Sequence, residues 1–352
     1  MESRPDTLVV LTPAFPRDES DSTWVPSQQL FVKTLKASFP QLKVVVLSFF
    51  YPDHTSTYFW NDAEVIAFDG MRRRKLQRIL LWKDTWKKLK ALHRENNIQG
   101  IFSFWCGECA LIGSWFGRRY HIRHRCWICG QDARKTNKLV KFIRPRPVEL
   151  VAMSAFLADE FYRNHGIRPQ YIIHNAIDPQ LFPPAPAERD IDILGVGSLM
   201  PLKRYELLVE AVHALQQSLP AIRVIHCGEG EDREKLQALI ARYQLENNLS
   251  LTGKQSHPDI LQLMQRTKVL LHPSSYEGFS TVCLEALYAG AHVVSFCDPV
   301  EPHTPHWHIV TTLEEMTRKT LELLQNTGTE YTPVLLHSMD KTVQSVMQLF
   351  ER

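Results

Sequence analysis

The chain has 352 residues, 44% of them hydrophobic and 22% charged, so it is long for a single core and too apolar for a disordered polymer; two domains are expected. No apolar run approaches the roughly eighteen residues of a membrane span, and Met1–Thr7 is polar with no signal-peptide core, which makes a cytoplasmic protein the expectation. The net charge of +3 hides an asymmetry: 27 Lys and Arg face 17 Asp and Glu up to Pro183, and 14 face 21 beyond it, so the two halves are expected to meet different partners.

Strands are predicted at 8–11, 44–47, 65–68, 101–104, 126–128, 150–152 and 171–173, with helices at 28–37, 75–93 and 156–164. A repeated βα pattern implies a mainly parallel sheet covered by helices. The second of these helices follows a basic run, Arg72-Arg73-Arg74-Lys75, that continues through Arg78, Lys83, Lys87, Lys88, Lys90 and Arg94, with Trp82, Trp86 and aliphatic residues interleaved. Such a segment, 72–94, suits either its own domain's core or an anionic membrane surface. Pro179, Pro183, Pro184 and Pro186 then crowd a stretch that continues neither a helix nor a central strand, which places a linker at about 179–190.

Beyond it the alternation restarts, with strands at 191–194, 223–226, 249–251, 269–271 and 293–296 and helices at 205–217, 233–243 and 260–265. A last helix, about 339–350, follows a less regular stretch. The expected architecture is α/β: two Rossmann-like, doubly wound domains, 1–182 and 183–337, with 338–352 a C-terminal helix placed to pack back on the first. Ligands of such sheets bind at the carboxyl ends of the strands, so a cleft between the domains is the expected site.

The segment from Pro273 to Gly290 carries the most chemistry: an apolar strand, a tight loop with Glu277 and Gly278, then a helix from Thr281 that bears Glu285. One acid precedes the helix and the other is expected some two turns along, a separation of about 12 Å that matches the ribose and hexose of a nucleotide sugar. The backbone amides of Gly278, Phe279, Ser280 and Thr281, at the positive end of the helix, suit a phosphate. Lys203 stands just before another predicted helix, where a cation gains nothing from the dipole, so a functional role is expected of it. Gly228-Glu229-Gly230 begins like a dinucleotide fingerprint, but Arg233 replaces the third glycine, which counts against NAD. Cys106/Cys109 and Cys126/Cys129 form two CxxC pairs at a formal zinc spacing, although 126–129 reads as strand; zinc and buried thiols both stand as readings.

The ordered motifs Gly195-Val196-Gly197-Ser198-Leu199 with Lys203, Cys227-Gly228-Glu229-Gly230, Leu251-Thr252-Gly253 and the Glu277–Glu285 element together resemble the donor domain of the family 4 retaining glycosyltransferases, which have the GT-B fold. The resemblance implies that Glu285 accepts from the nucleotide ribose, that Glu277 sits beside the transferred sugar, and that Lys203 neutralises the diphosphate. Ser198 stands where the family usually has Arg, so Arg204 is the candidate for the missing cation. Gly197, Gly228, Gly253 and Lys254 complete the implied donor-binding set. In the first half, Gly130-Gln131-Asp132 looks like the family loop that approaches the sugar. Cys129 replaces the usual His there, which leaves Asp132 as the candidate for a sugar-hydroxyl contact. Asp190-Ile191-Asp192 mimics the DxD of the other major glycosyltransferase fold, but it opens a strand and is read as coincidence.

The implied activity is retaining transfer of a sugar from a nucleotide-diphosphate donor to a hydroxyl of a glycan or lipid-linked glycan. No metal and no cofactor beyond the donor are expected, nor is nucleic acid as a partner. The expected location is cytoplasmic, and if the basic segment 72–94 is not taken up by its own domain's core, it would rest on the inner face of the membrane. The alternatives are a GT-B nucleotide-sugar epimerase and a noncatalytic module that binds sugar nucleotide or zinc.

Overall fold

The computed structural model describes residues 4–22, 24–73, 76–184, 186, 188–297 and 304–351. Arg74 and Lys75 of the basic run, and Ala185 and Ala187 of the expected linker, lie outside the described residues. The chain divides into two units, 1–176 with 337–352, and 177–336. The division thus falls ahead of the proline-dense segment instead of inside it. Its physical reason is that Ile177 is buried with Leu194, Leu270 and Leu284 of the second unit, with Phe182 packed against the same cluster.

The first unit holds an eight-stranded sheet made of β1 (Asp6–Ala14), β2 (Lys43–Tyr51), β3 (Thr55–Trp60), β4 (Ala63–Phe68), β5 (Asn97–Phe104), β6 (His124–Ile128), β7 (Leu150–Ala152) and β8 (Tyr171–Ile172). Their order is β3-β4-β2-β1-β5-β6-β7-β8, and every neighbouring pair is parallel except β3 with β4. β1 and β2 are buried along almost their whole length, as a parallel sheet covered on both faces requires. β3 is an antiparallel edge absent from the predicted strands. It turns into β4 through Asn61 and Asp62, both at positive φ, the conformation in which Asn and Asp are well tolerated.

The helix Glu108–Tyr120 follows β5 and carries Cys109 in its first turn. Gly113 and Gly117 let it lie flush on β6: a Cβ at Gly113 would come within 2.8 Å of the His124 ring. The last helix, Met339–Gln348, belongs to this unit and packs on the helix Pro26–Ser38. Arg125 donates to the Leu349 carbonyl at 2.9 Å and Arg123 to that of Phe350, which satisfies carbonyls just past the helix end. The Phe350 ring fills the space over Gly100.

The second unit is a six-stranded, all-parallel sheet of β9 (Ile191–Val196), β10 (Val224–Cys227), β11 (Leu249–Gly253), β12 (Thr267–His272), β13 (His292–Ser295) and β14 (Trp307–Ile309), in the order β11-β10-β9-β12-β13-β14. The crossover on either side of β9 makes the carboxyl ends of β9, β10 and β12 the binding edge of this sheet. β14 and the helix Leu313–Gln325 are further additions to the predicted elements. Asp190 and Asp192 lie at the amino end of β9, the opposite edge, where Arg223 and Arg266 hold the first and Lys268 the second.

Candidate functional site

Three glycine turns tie the carboxyl ends of β9, β10 and β11 together. Gly197 donates its amide to Cys227 at 3.0 Å, Gly228 to Gly253 at 2.8 Å, and Leu199 to Glu229 at 2.9 Å. Gly197 and Gly228 sit at φ 152° and 149°, a region open in practice to glycine alone. A Cβ on Gly228 would lie 1.9 Å from the Gly197 carbonyl, so backbone stacks on backbone with no room for a side chain. Beneath these turns Tyr205 donates its hydroxyl to Val196 at 2.7 Å and stands edge-on over His226, with ring centroids 4.1 Å apart. Burial lowers the His226 pKa to about 4, which keeps this imidazole neutral under the turns.

The short turn Pro201–Lys203 is bonded to the loop after β12: the Ser275 amide and hydroxyl both donate to the Leu202 carbonyl, at 3.0 and 3.1 Å. That tie brings the Lys203 ammonium onto Oε1 of Glu277, and His272, the last residue of β12, donates from Nε2 to the same oxygen at 3.0 Å. Burial alone would raise the Glu277 pKa; the His272 hydrogen bond and the Lys203 charge outweigh it and hold the carboxyl at about 2. Glu277 is therefore an acceptor and a fixed negative charge at any physiological pH, not a proton donor. Its Oε2 has no hydrogen-bond partner among the described residues.

Glu285 lies one turn into the helix Thr281–Tyr288, half the predicted advance along it. Its Oε1 accepts from His257 Nε2 at 2.7 Å, and Oε2 again has no partner among the described residues. Ser280, the N-cap residue of this helix, makes no side-chain cap. Gly278 is buried, and the Phe279 ring packs onto the core beneath.

Ser198 and Lys254 are exposed in the turns after β9 and β11. The Arg204 guanidinium lies over the Phe296 ring, 5.3 Å from its centroid. The structure thus gathers Lys203 and Glu277 into one bonded group with His272 and fixes Glu285 separately through His257. Neither histidine is among the residues picked out from the sequence. His272 passes there as a strand end, although a polar ring closing the run Val269-Leu270-Leu271 is a signal; His257, 28 positions from Glu285, gives none.

Asp132 needs correction. It belongs to the first unit, is 6% exposed, and its Oδ2 accepts from the Cys106 amide at 2.9 Å and the Cys129 amide at 2.8 Å. It is a loop-holding carboxyl, not a side chain reaching for a sugar hydroxyl. Burial raises its pKa to about 7 against those two amides, which favour the charged form. The four nearby cysteines are free, and burial pushes the thiols of Cys109, Cys126 and Cys129 well above their ordinary range. Among the described residues no group of three His, Cys, Asp or Glu side chains is placed to hold a metal ion.

Residues 177–304 match the family described as glycosyl transferases group 1. The second unit resembles the group 1 glycosyltransferases over that span. All four ordered motifs, the Glu277–Glu285 element among them, fall inside that match. The chain is 27% identical over 227 residues to a subunit of the human phosphatidylinositol N-acetylglucosaminyltransferase, covering 62% of this chain and 47% of that one. To the gpi3 subunit of the Schizosaccharomyces pombe enzyme of the same name it is 26% identical over 203 residues, covering 56% and 44%. It thus spans about half the length of these curated relatives. Among solved structures, Anabaena HepE in complex with UDP and glucose aligns over 96% of this chain and 94% of its own with a TM-score of 0.68, at 17% identity. The sucrose-phosphate synthase of Thermosynechococcus elongatus aligns over 98% of both chains with a TM-score of 0.65, at 16% identity. Both likenesses run through the matched residues 177–304 and the first unit, and they show the two-unit, Rossmann-like GT-B fold.

Proposed function

We propose that this chain is a retaining glycosyltransferase that moves a sugar from a nucleoside-diphosphate donor to a hydroxyl of a glycan or lipid-linked glycan. The observation that supports it best is the pair of carboxylates at the binding edge of the second unit, each held through Oε1 and each with Oε2 unbonded among the described residues. Glu285 takes a ribose hydroxyl and Glu277 a hydroxyl of the transferred sugar, whose developing positive charge it also faces. Lys203 leaves Glu277 for the diphosphate, which departs as an anion. The acceptor oxygen bonds to the anomeric carbon as the carbon–phosphate-oxygen bond breaks, and the leaving phosphate takes the acceptor's proton. An ionised Glu277 suits this scheme, since it needs no side-chain acid. UDP and glucose in the HepE structure, and the N-acetylglucosaminyltransferase names of the relatives, favour a UDP-sugar and a glycolipid acceptor.

Titration calorimetry with UDP, GDP and ADP tests the donor. Glu285→Ala is expected to weaken the nucleotide that binds by tenfold or more, by loss of a hydrogen bond to a charged group worth about 1.5–3 kcal/mol. Unchanged affinity would remove the assignment.

The acceptor reading extends to a membrane surface. The helix Leu76–Glu95 buries Leu81, Leu89 and Leu92 in its own unit and packs Trp82 and Trp86 there, so the aromatic face expected to meet lipid is not the available one. Its solvent face carries Ile79 and Leu80, each more than half exposed, and Lys83, Lys87, Lys90 and Arg94. In low-salt flotation the protein is expected to rise with vesicles rich in phosphatidylserine and not with phosphatidylcholine alone. Equal recovery from both would count against it.

A further inference from the structure

Both carboxylates of the site are gripped by an imidazole, but the two grips differ. At Glu277 the histidine shares its oxygen with Lys203. At Glu285 His257 is the sole ion-pair partner among the described residues. His257 is the first residue of the helix His257–Gln265, where Ser256 caps the Asp259 amide at 3.3 Å and Pro258 fixes the second position. Leu261 and Met264 of that helix are buried in one cluster with Cys283, Leu284, Ala286 and Leu287, which flank Glu285 on its own helix. Imidazole and carboxylate are thus carried on two elements locked together by the core, with side chains only 21% and 12% exposed. Burial alone would lower the His257 pKa; its hydrogen bond with Glu285 and the charge there outweigh burial and hold it above the ordinary value. A glutamate has several free torsions, and a bond of 2.7 Å to Oε1 removes most of that freedom.

We propose that His257 is a positioning residue for the nucleotide, fixing Glu285 so that its Oε2 accepts from a ribose hydroxyl of the bound nucleoside diphosphate. The inference rests on the donor reading above. It gives the site a device for selecting ribose: an oriented acceptor left unpaired by a sugar without hydroxyls penalises that sugar. Substituting His257 therefore relaxes the preference as well as the affinity, which a merely structural contact would not do.

The test uses the full chain and whichever of UDP, GDP and ADP binds it, beside the 2′,3′-dideoxy form of the same nucleotide, with affinities from calorimetry. The wild-type chain is expected to prefer the ribose form by about tenfold or more. His257→Ala should bring that ratio to within about threefold, mostly by weakening the ribose form, while His257→Gln, whose amide still donates to Oε1, keeps most of it. If the Ala chain shows no cooperative melt, His257→Leu replaces it, and a donorless variant with the full wild-type ratio overturns the proposal. So does a folded Gln chain that has lost the ratio entirely. Glu285→Ala separates the two layers: if it leaves the ratio intact, the placement of ribose at Glu285 is wrong whatever His257 does. If Glu285→Ala collapses the ratio and the donorless His257 variant does not, only the role of His257 fails.

Discussion

Glu277 and Asp132 show that burial does not by itself decide what a carboxyl becomes. Both are largely buried. Glu277 has an imidazole and an ammonium on one oxygen and titrates at about 2, whereas Asp132 has two amides and no cation and titrates at about 7. Asp132 therefore holds a proton in the folded chain that the unfolded chain, with its ordinary value of 3.8, gives up. Its contribution to stability is full below that ordinary value and is lost as pH rises to about 7, by up to roughly 4 kcal/mol on the 1.36 kcal/mol per unit scale. Asp132→Asn keeps an oxygen for the two amides but has no proton to lose. The urea midpoint of the Asn variant is expected to gain on wild type as pH rises from 4 to 7, and parallel pH profiles would show that Asp132 is ionised throughout. The same contrast explains what could be read from the residues alone. Glu277, Glu285 and Lys203 stand in motifs whose spacing implies a strand, a turn and a helix start. Asp132 lies in a loop whose meaning depends on amides from Cys106 and Cys129, 23 positions apart in the chain, and no local pattern encodes that convergence.

Elements were legible where periodicity was strong and missed where it was broken by exposure or by shortness. The buried runs of β1, β2, β12 and β13 could scarcely be anything else, since continuous apolar segments of strand length between turn residues suit a covered parallel sheet. β3, an edge strand whose exposed positions are Thr55, Thr57 and Phe59, has no continuous aliphatic run to find. The helix Leu313–Gln325 was a different kind of miss, because its start is written plainly. Thr312 stands three residues before Glu315, and the structure uses both: Thr312 Oγ1 accepts from the Glu315 amide at 3.2 Å, while Glu315 returns a carboxylate oxygen to the Thr311 amide at 2.8 Å. Thr312→Ala is expected to cost about 1 kcal/mol and Thr312→Ser to restore most of it, read as shifts in chemical denaturation of the second unit. An Ala variant as stable as wild type would mean that packing of Met316 and Leu323 alone starts the helix.

At the scale of the molecule, the return of the chain end to the first unit makes residues 337–352 part of a core they reach only after the whole second unit has been traversed. The sequence pattern gives the last helix and its expected destination, the first domain, but not the surface it meets there, because an amphipathic helix announces that it will pack and not on what. The docking is specific nonetheless. Phe350 is 3% exposed and occupies the space that a side chain at Gly100 would fill, and a Cβ there would come within 2.1 Å of its ring. Truncating a buried aromatic to Ala typically costs about 3–5 kcal/mol, so Phe350→Ala is expected to lower the melting of the first unit sharply. The second unit has its own sheet and its own cores, and a nucleotide bound there at a hundredfold excess over its Kd adds about 2.7 kcal/mol to whichever transition contains the site. In scanning calorimetry the Phe350→Ala chain with UDP should therefore show two separating transitions, one moved down by the substitution and one moved up by the ligand. A single transition that responds to both would mean that the units unfold together, and the C-terminal helix would then stabilise the donor site as much as the sheet on which it lies.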